Sequence, residues 1–81
     1  MPLVTLAVSL VGGPPWGFRV AQQHGEPPIV SQVLPEGRAY NEGIRAGDFI
    51  EAVNGEDCAF ASEVHDKMRN AKGVLRLRLK R

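Results

Sequence analysis

The side chains with reactive or metal-binding chemistry are few, and their spacing does not suit catalysis or metal binding. Cys58 is the only cysteine, so it cannot form an internal disulfide, and the adjacent Glu56 and Asp57 oppose a reactive thiolate. His24 and His65 lie far apart and lack the paired spacing that a zinc site needs. The sequence therefore predicts a small, partly buried cysteine and no metal.

The segment that contains Ser62, His65 and Asp66 offers the residue types of a catalytic triad. Ser62 precedes His65 by three residues and Asp66 follows it directly, but this spacing does not orient a nucleophile, a base and an acid in a relay. Matches of this kind arise easily by chance. We therefore expect no enzymatic activity, no catalytic residues and no cofactor.

The segment 12–20, with the sequence GGPPWGFRV, is the candidate binding site. Its turn residues bring Trp16 and Phe18 to the start of a strand, and Gly17 between them permits a close approach. Consecutive N–H groups in such a turn can converge on an anion. A carboxylate attached to a hydrophobic side chain, as at a peptide C-terminus, fits this combination.

Two other interpretations of the same segment stay open at this point. Trp16 and Phe18 are also what a tight turn over a hydrophobic core would contain, and the motif alone favours neither interpretation. Phosphate binding is less favoured, because the segment lacks the lysine and the helix start of a P-loop and the spacing of a GxGxxG motif.

Length and composition limit the architecture that can position this segment. With 81 residues, 43% of them hydrophobic, the chain is long enough for one domain, 1–81. Its net charge of +1 and its apolar content exclude a disordered segment. No apolar run approaches the roughly 18 residues of a transmembrane helix. The apolar opening MPLVTLAVSLV lacks a basic leading segment, and it predicts a strand rather than a signal peptide.

Basic residues are concentrated towards the end of the chain. Seven of the ten lie between Lys67 and Arg81, and no acidic residue follows Asp66. In the closing run GVLRLRLKR, however, leucines alternate with the basic residues, which is typical of a strand with one buried and one solvated face. Aromatic residues that could stack on bases are not interleaved there, so we expect no nucleic-acid binding. Contact with acidic lipid headgroups is a weaker alternative.

The hydrophobic pattern predicts an α+β fold in which strands outnumber helices. Asn54-Gly55 is a strong hairpin signal after a short strand, and Ala61–Ala71 has the apolar spacing of a helix. Because strands and helices do not alternate regularly, we expect a partly open antiparallel β-barrel or sandwich of five to six strands, capped by two helices. The predicted elements are strands at 3–11, 16–23, 29–34, 49–53 and 73–81, a helical turn at 38–43 and a helix at 61–71.

Several spaced motifs together make the whole chain resemble a PDZ domain. Pro15-Trp16-Gly17-Phe18 is similar to the Gly-Leu-Gly-Phe-like carboxylate-binding loop of that family. The runs Gly43-Ile44-Arg45-Ala46-Gly47-Asp48-Phe49-Ile50 and Val53-Asn54-Gly55 look like two further family motifs, and Ile29–Val33 and Gly37-Arg38-Ala39 follow in PDZ order. Pro-Trp-Gly-Phe is most like the PDZ domains of PDZ-LIM (Enigma/ALP) proteins, of myopodin and of Shroom. His24-Gly25-Glu26-Pro27 leans towards the Shroom type.

The resemblance implies a groove for the C-terminal tail of a partner, which adds a strand between the second strand and the longer helix. The backbone amides of Trp16, Gly17 and Phe18 would hold the terminal carboxylate. Trp16, Phe18, Val20 and Met68 would form the pocket for a hydrophobic last side chain. The groove would also be lined by Ala61, Val64 and His65, while Arg19 would face the opposite side.

Two departures from the family pattern bear on specificity. Many PDZ domains begin the longer helix with a histidine that binds a Ser or Thr two residues before the end of the ligand. Ala61 stands there, so an apolar or loosely specified ligand residue is expected, and His65 is either a ligand contact or a half-exposed helix residue. Phe60 occupies the usual position of a helix cap, whereas Ser62 is the better cap by chemistry and would start the helix later.

The resemblance therefore implies a non-catalytic interaction module of a scaffold or actin-cytoskeleton adaptor, located in the cytoplasm and associated with the cytoskeleton. Membrane contact would occur only through lipids or the tail of a membrane protein. The alternative is a self-association or acidic-lipid contact module that uses a sheet edge and the basic terminal strand.

Overall fold

A computed structural model describes residues 3–81, so Met1 and Pro2 of the predicted domain and opening strand lie outside the described residues. It confirms the α+β class: an antiparallel sheet of six strands with two helices, which does not close into a barrel. The elements are β1 (Thr5–Val11), β2 (Phe18–Ala21), β3 (Ile29–Val33), α1 (Arg38–Asn41), β4 (Phe49–Val53), β5 (Glu56–Asp57), α2 (Ala61–Asn70) and β6 (Val74–Lys80).

The sheet has the strand order β1-β6-β4-β3-β2, and β5 pairs with β4 outside this path. β1 and β6 pair along their whole length, from Thr5 opposite Lys80 to Val11 opposite Val74. The predicted alternation in β6 is confirmed, since its three leucines are buried and Arg76 and Arg78 are exposed. Two strands, β1 and β2, are left at the outer edges of the sheet.

The predicted hairpin at Asn54-Gly55 joins β4 and β5. Both residues have positive φ angles, 50° and 82°, as the central positions of a type I′ turn require. The Asn54 Oδ1 atom accepts a hydrogen bond of 2.8 Å from the backbone N–H of Arg76, which ties the turn to β6. Local turn chemistry therefore fixes this connection.

The second strand is shorter than its hydrophobic pattern predicts. The alternation suggests a strand over 16–23, but β2 begins at Phe18, because Gly17 has a φ of 88° and interrupts the extended backbone. A register irregularity between Arg19 and Val20 bends β2 against β3. Trp16 consequently lies in the preceding loop rather than in the strand.

The two helices lie where the sequence predicts them, and the core joins them to the sheet. Val64 of α2 and Ala39 of α1 are both fully buried. None of the helices within residues 3–81 has the length and apolar character needed to cross a membrane. The buried core consists of Leu10, Trp16, Phe18, Val30, Ala39, Ile44, Ile50, Val53, Cys58, Val64, Leu75, Leu77 and Leu79.

Candidate functional site

The loop between β1 and β2 is anchored at its base by hydrogen bonds and contains a glycine with a left-handed backbone conformation. The N–H groups of Gly12 and Gly13 donate to the carbonyl of Gly73, at 2.7 and 3.3 Å. Gly17 has a positive φ, and a Cβ atom there would lie 3.4 Å from the backbone nitrogen of Ala39. Gly17 is therefore needed for its left-handed backbone, whereas the added Cβ atom itself would make only an ordinary contact with α1.

The carbonyl groups of this loop have hydrogen-bond partners that fix their direction. The Gly17 carbonyl accepts a bond of 3.0 Å from the N–H of Leu34, just after β3. The Arg38 guanidinium donates to the carbonyl of Gly13 and, at 3.4 Å, to that of Pro15. Within residues 3–81, no hydrogen bond uses the N–H of Trp16 or Gly17 as donor. These two amides thus have no acceptor within the described part of the chain.

The two aromatic side chains of the loop are part of the core. Trp16 is 4% and Phe18 7% exposed, as the interpretation of core aromatics expected. The Trp16 indole N–H also donates a hydrogen bond of 3.0 Å to the backbone carbonyl of Met68. The loop and α2 are therefore directly connected, while the lining of a ligand pocket by these rings stays a prediction.

The predicted groove residues lie along facing sides of β2 and α2, at different depths. Val20, Ala61 and Met68 are half-buried, and Val20 and Met68 pack against the core. Val64 is fully buried beneath them, and His65 is exposed. The structure thus places these predicted residues on two elements that contact each other, and Val64 is buried beneath the surface of the protein.

The start of α2 decides between Phe60 and Ser62 as the residue at its N-terminal cap position. The helix begins at Ala61, with Phe60 before it in an extended conformation, so Ser62 is not its cap. Phe60 has no side-chain acceptor, and Glu63 Oε1 instead accepts bonds of 3.0 Å from the N–H groups of Ala59 and Phe60. Glu63 at the third helical position is a recognisable sequence signal for this role.

Gln22, just beyond β2, supplies a second cap that sequence reasoning missed. Its Oε1 atom accepts a bond of 2.8 Å from the N–H of Ala61. Its amide nitrogen donates to the carbonyls of Ala59 and Glu26, at 2.8 and 2.9 Å. Gln22 therefore joins the end of β2 to the first turn of α2, across 39 residues of sequence. No local pattern marks a glutamine for this role.

Ion pairs neutralise most of the basic face of β6 and the residue that follows it. Arg78 pairs with Glu51 and Asp57, at 2.5 and 2.7 Å, and Lys80 pairs with Glu51 at 3.1 Å. Hydrogen bonds from Lys80 and Arg78 hold the pKa of Glu51 below its ordinary value. Arg78 and Lys80 are therefore paired charges on the wet face of the sheet, whereas Arg76 forms no ion pair within residues 3–81.

Asp48 is the one buried charged residue of the described chain, and both of its carboxylate oxygens accept hydrogen bonds from Arg81. Arg81 donates from Nε and Nη2 at 2.8 and 2.7 Å, and the N–H of Arg45 adds a bond of 2.9 Å. Burial alone would raise the pKa of Asp48, but the bonds from Arg81 and Arg45, with their charges, lower it. This cluster fixes the turn before β4 and lies outside the predicted site.

Residues with reactive chemistry do not assemble elsewhere in the part of the chain that the structure describes. Cys58 is buried, and burial raises the pKa of its thiol, which opposes a reactive thiolate. Asp66 forms an ion pair with Arg69 rather than a bond to His65. Across residues 3–81 no group of three or more His, Cys, Asp or Glu is placed to hold a metal ion.

Three surface cavities accompany these features. One of about 180 Å³ lies beside the loop, between Trp16, Arg19 and Leu34. A second of about 220 Å³ lies between Phe60 and the segment 22–25. The third, about 260 Å³, contains Cys58, Phe49 and Lys80 and no residue of the predicted site.

Comparison with known proteins identifies one domain family. The family model for the PDZ domain matches residues 5–80. PDZ and LIM domain protein 2 of Rattus norvegicus is 38% identical over 82 residues, and synaptopodin-2 of Mus musculus is 32% identical over 80. These matches cover 96% and 94% of the chain but only 24% and 7% of the relatives, so the chain spans a quarter or less of their length.

A solved structure gives the same result for the fold. The PDZ domain of choanoflagellate SHANK1, bound to a GIRK3 peptide, superposes with a TM-score of 0.87 at 28% identity, covering 100% of this chain and 96% of that one. The two sequence relatives match the PDZ-LIM and myopodin resemblance drawn from the motifs.

Proposed function

The chain belongs to the PDZ family, and on this premise we propose that residues 1–81 form one non-catalytic module that binds the C-terminal tail of a partner protein. One observation carries the proposal: β2 is a free edge strand that lies against α2, and the amide-bearing loop directly precedes it. An extended tail can add to such an edge by main-chain hydrogen bonds. PDZ domains as a family are peptide-binding modules.

The terminal carboxylate would be held by the backbone amides of Trp16, Gly17 and Phe18. The Trp16 and Gly17 amides have no other acceptor within the described residues. The Gly17 carbonyl points towards Leu34, and in a trans peptide the following N–H, that of Phe18, points the opposite way. Charge-assisted bonds from such amides belong to the stronger class of hydrogen bond.

The side chains of the tail would be selected by the groove. We propose that Trp16, Phe18, Val20 and Met68 accept a hydrophobic last residue, with Ala61, Val64 and His65 completing the groove. At the third-last ligand position, Ala61 offers no side-chain hydrogen bond, and its N–H is occupied by Gln22. We therefore expect no preference for Ser or Thr at this ligand position, and instead expect an apolar or loosely specified residue.

The experiment is a titration with a library of C-terminal peptides, followed by the tightest member with its terminus amidated. Weaker binding of the amidated form is expected, and equal binding of both forms would contradict the carboxylate site. Met68→Glu should abolish binding of the free-acid peptide, because it places a charge in the pocket. Val11→Glu, at an exposed position of β1, is the matched control and should bind normally.

For the parent protein we propose a scaffold or actin-cytoskeleton adaptor in the cytoplasm, associated with the cytoskeleton. This rests on likeness to PDZ and LIM domain protein 2 and to synaptopodin-2, of which the chain spans only a part. Co-sedimentation of the full-length protein with actin filaments from a cytosolic extract tests it. Recovery entirely in the filament-free fraction would contradict the proposal.

Self-association through β1 is a second candidate, because the outer edge of that strand is free. β1 contains no charged residue, so it lacks the usual protection of an exposed edge. Light scattering over a concentration series would show growth in particle size if β1 pairs with a second copy, and constant size would exclude it. The ion pairs of Arg78 and Lys80 argue against the acidic-lipid alternative.

A further inference from the structure

Arg38 reaches from the start of α1 into the loop that precedes β2. Its guanidinium donates to the carbonyls of Gly13 and Pro15 and lies over the Trp16 ring, 5.8 Å from the ring centroid. The side chain is half-buried, and within residues 3–81 it forms no ion pair with a carboxylate. A positive charge without an acidic partner therefore stands directly behind the loop.

The contact with Pro15 constrains an amide on the other side of the same peptide group. The Pro15–Trp16 peptide is trans, so its carbonyl oxygen and its N–H point in opposite directions. Because the oxygen faces Arg38, the Trp16 N–H faces away from Arg38 and has no other partner within the described residues. The same guanidinium also donates to the carbonyl of Gly13, which holds the loop at a second point, two residues before Pro15.

We propose that Arg38 is a positioning residue for the carboxylate site and the main source of its selectivity for an anionic terminus. It aims the Trp16 N–H at the ligand and adds a fixed positive charge behind the loop. Both effects favour a carboxylate over a neutral amide, since hydrogen bonds to an ionised group are about twice as strong as neutral ones. The inference rests on the proposed tail-binding function.

The test measures the ratio of affinities for one peptide in two forms, free acid and amidated, chosen as the tightest member of a C-terminal library. Arg38→Met is expected to lower the affinity of the free acid about tenfold, the size of one charge-assisted hydrogen bond. The amidated form accepts the weaker, neutral hydrogen bond, so its affinity should fall less, and the ratio of the two affinities should fall several-fold. Arg45→Met is the matched control, because Arg45 stacks on Tyr40 and does not touch the loop.

Three further measurements separate positioning from a general structural role. Arg38→Lys keeps the charge and one donor, so it should recover most of the ratio that Arg38→Met loses. The backbone amide of Trp16 should show a lower NMR order parameter in Arg38→Met than in the wild type, because its peptide group is no longer held by the guanidinium. Arg38→Gln is a second neutral variant, and it keeps an amide donor. If Arg38→Met does not fold, the acid-to-amide affinity ratio of Arg38→Gln tests the role of Arg38 instead.

The outcomes distinguish this inference from the function on which it rests. A wild-type protein that binds acid and amide equally would refute the carboxylate site itself. A wild type that discriminates, with Arg38→Met discriminating equally well, would refute the role of Arg38 alone. The same holds if Arg38→Met weakens both peptide forms to the same extent, or if Arg38→Lys discriminates no better than Arg38→Met.

Discussion

The indole of Trp16 offers a direct test of how the loop and α2 are held together. Met68 lies in the last turn of α2, where backbone carbonyls lack partners within the helix. The indole N–H of Trp16 donates to the Met68 carbonyl at 3.0 Å, and the ring is almost completely buried. Trp16→Phe keeps an aromatic ring in the core but removes the donor and part of the volume.

The expected loss of stability combines two effects. Removing the donor costs about 1 kcal/mol for the bond itself, and more if the Met68 carbonyl stays unsatisfied. The smaller ring leaves a void worth about another 1 kcal/mol. We therefore expect the free energy of unfolding to fall by about 2–3 kcal/mol, which lowers Tm by roughly 10–20 °C in a domain of this size.

The assay is urea and thermal unfolding followed by far-UV circular dichroism, because Trp16 is the only tryptophan and its fluorescence disappears with the mutation. Phe60→Leu is the control, since Phe60 is 62% exposed and its truncation should change stability by less than about 0.5 kcal/mol. A Trp16→Phe protein within about 0.5 kcal/mol of the wild type would refute the claim that this bond joins the loop to α2.

Three more predictions concern the cap, the buried acid and the loop. Glu63→Ala should cost about 0.5–2 kcal/mol in urea unfolding through loss of the cap, whereas Glu26→Ala in an exposed loop should cost nothing measurable. Folding lowers the pKa of Asp48, so the ionised carboxylate stabilises the fold. This contribution to the free energy of unfolding is complete above the pKa of the unfolded state, about 3.9, and is lost as pH falls through the pKa of the folded state. The free energy of unfolding of Asp48→Asn should therefore decline less steeply in acid than that of the wild type. Gly17→Ala and Gly25→Ala, both at positive φ, should each lose about 1–2 kcal/mol, but only Gly17→Ala should weaken binding of a free-acid peptide.

Each of these predictions has a result that contradicts it. Equal unfolding curves for Glu63→Ala and Glu26→Ala would show that Glu63 does not cap α2. A parallel acid limb for Asp48→Asn would assign the pH dependence to other carboxylates, such as that of Glu51. Equal peptide affinities for the two glycine variants would show that ligand binding does not depend on the left-handed backbone of Gly17.

The features that the sequence predicts well are those decided by neighbouring residues. The alternation of leucines and basic residues in β6 requires a two-faced strand wherever that strand pairs, and Asn54-Gly55 carries its own turn geometry. The spaced motifs of the PDZ family add the order of the elements, which composition alone does not provide. The fold and the position of the loop follow from these two sources together.

The contacts that complete the site were not predictable in the same way. Arg38 meets the Gly13 carbonyl across 25 residues, Gln22 meets the N–H of Ala61 across 39, and Trp16 meets the Met68 carbonyl across 52. In each case a side chain binds a backbone atom, and every residue type offers such atoms. No pairing of residue types along the sequence therefore reveals the contact before the chain is folded.

The same chemistry has a consequence for how this domain can diversify. α2 is fastened at both ends, by Gln22 to the N–H of Ala61 and by Trp16 to the carbonyl of Met68, and both attachment points on the helix are main-chain atoms. Because every amino acid except proline supplies both atoms, the side chains at 61, 65 and 68 can change through evolution or in a selection library while the two attachments persist. The ligand-facing side chains of α2 can thus change independently of the two attachments of the helix, and a new partner can be acquired without a new fold.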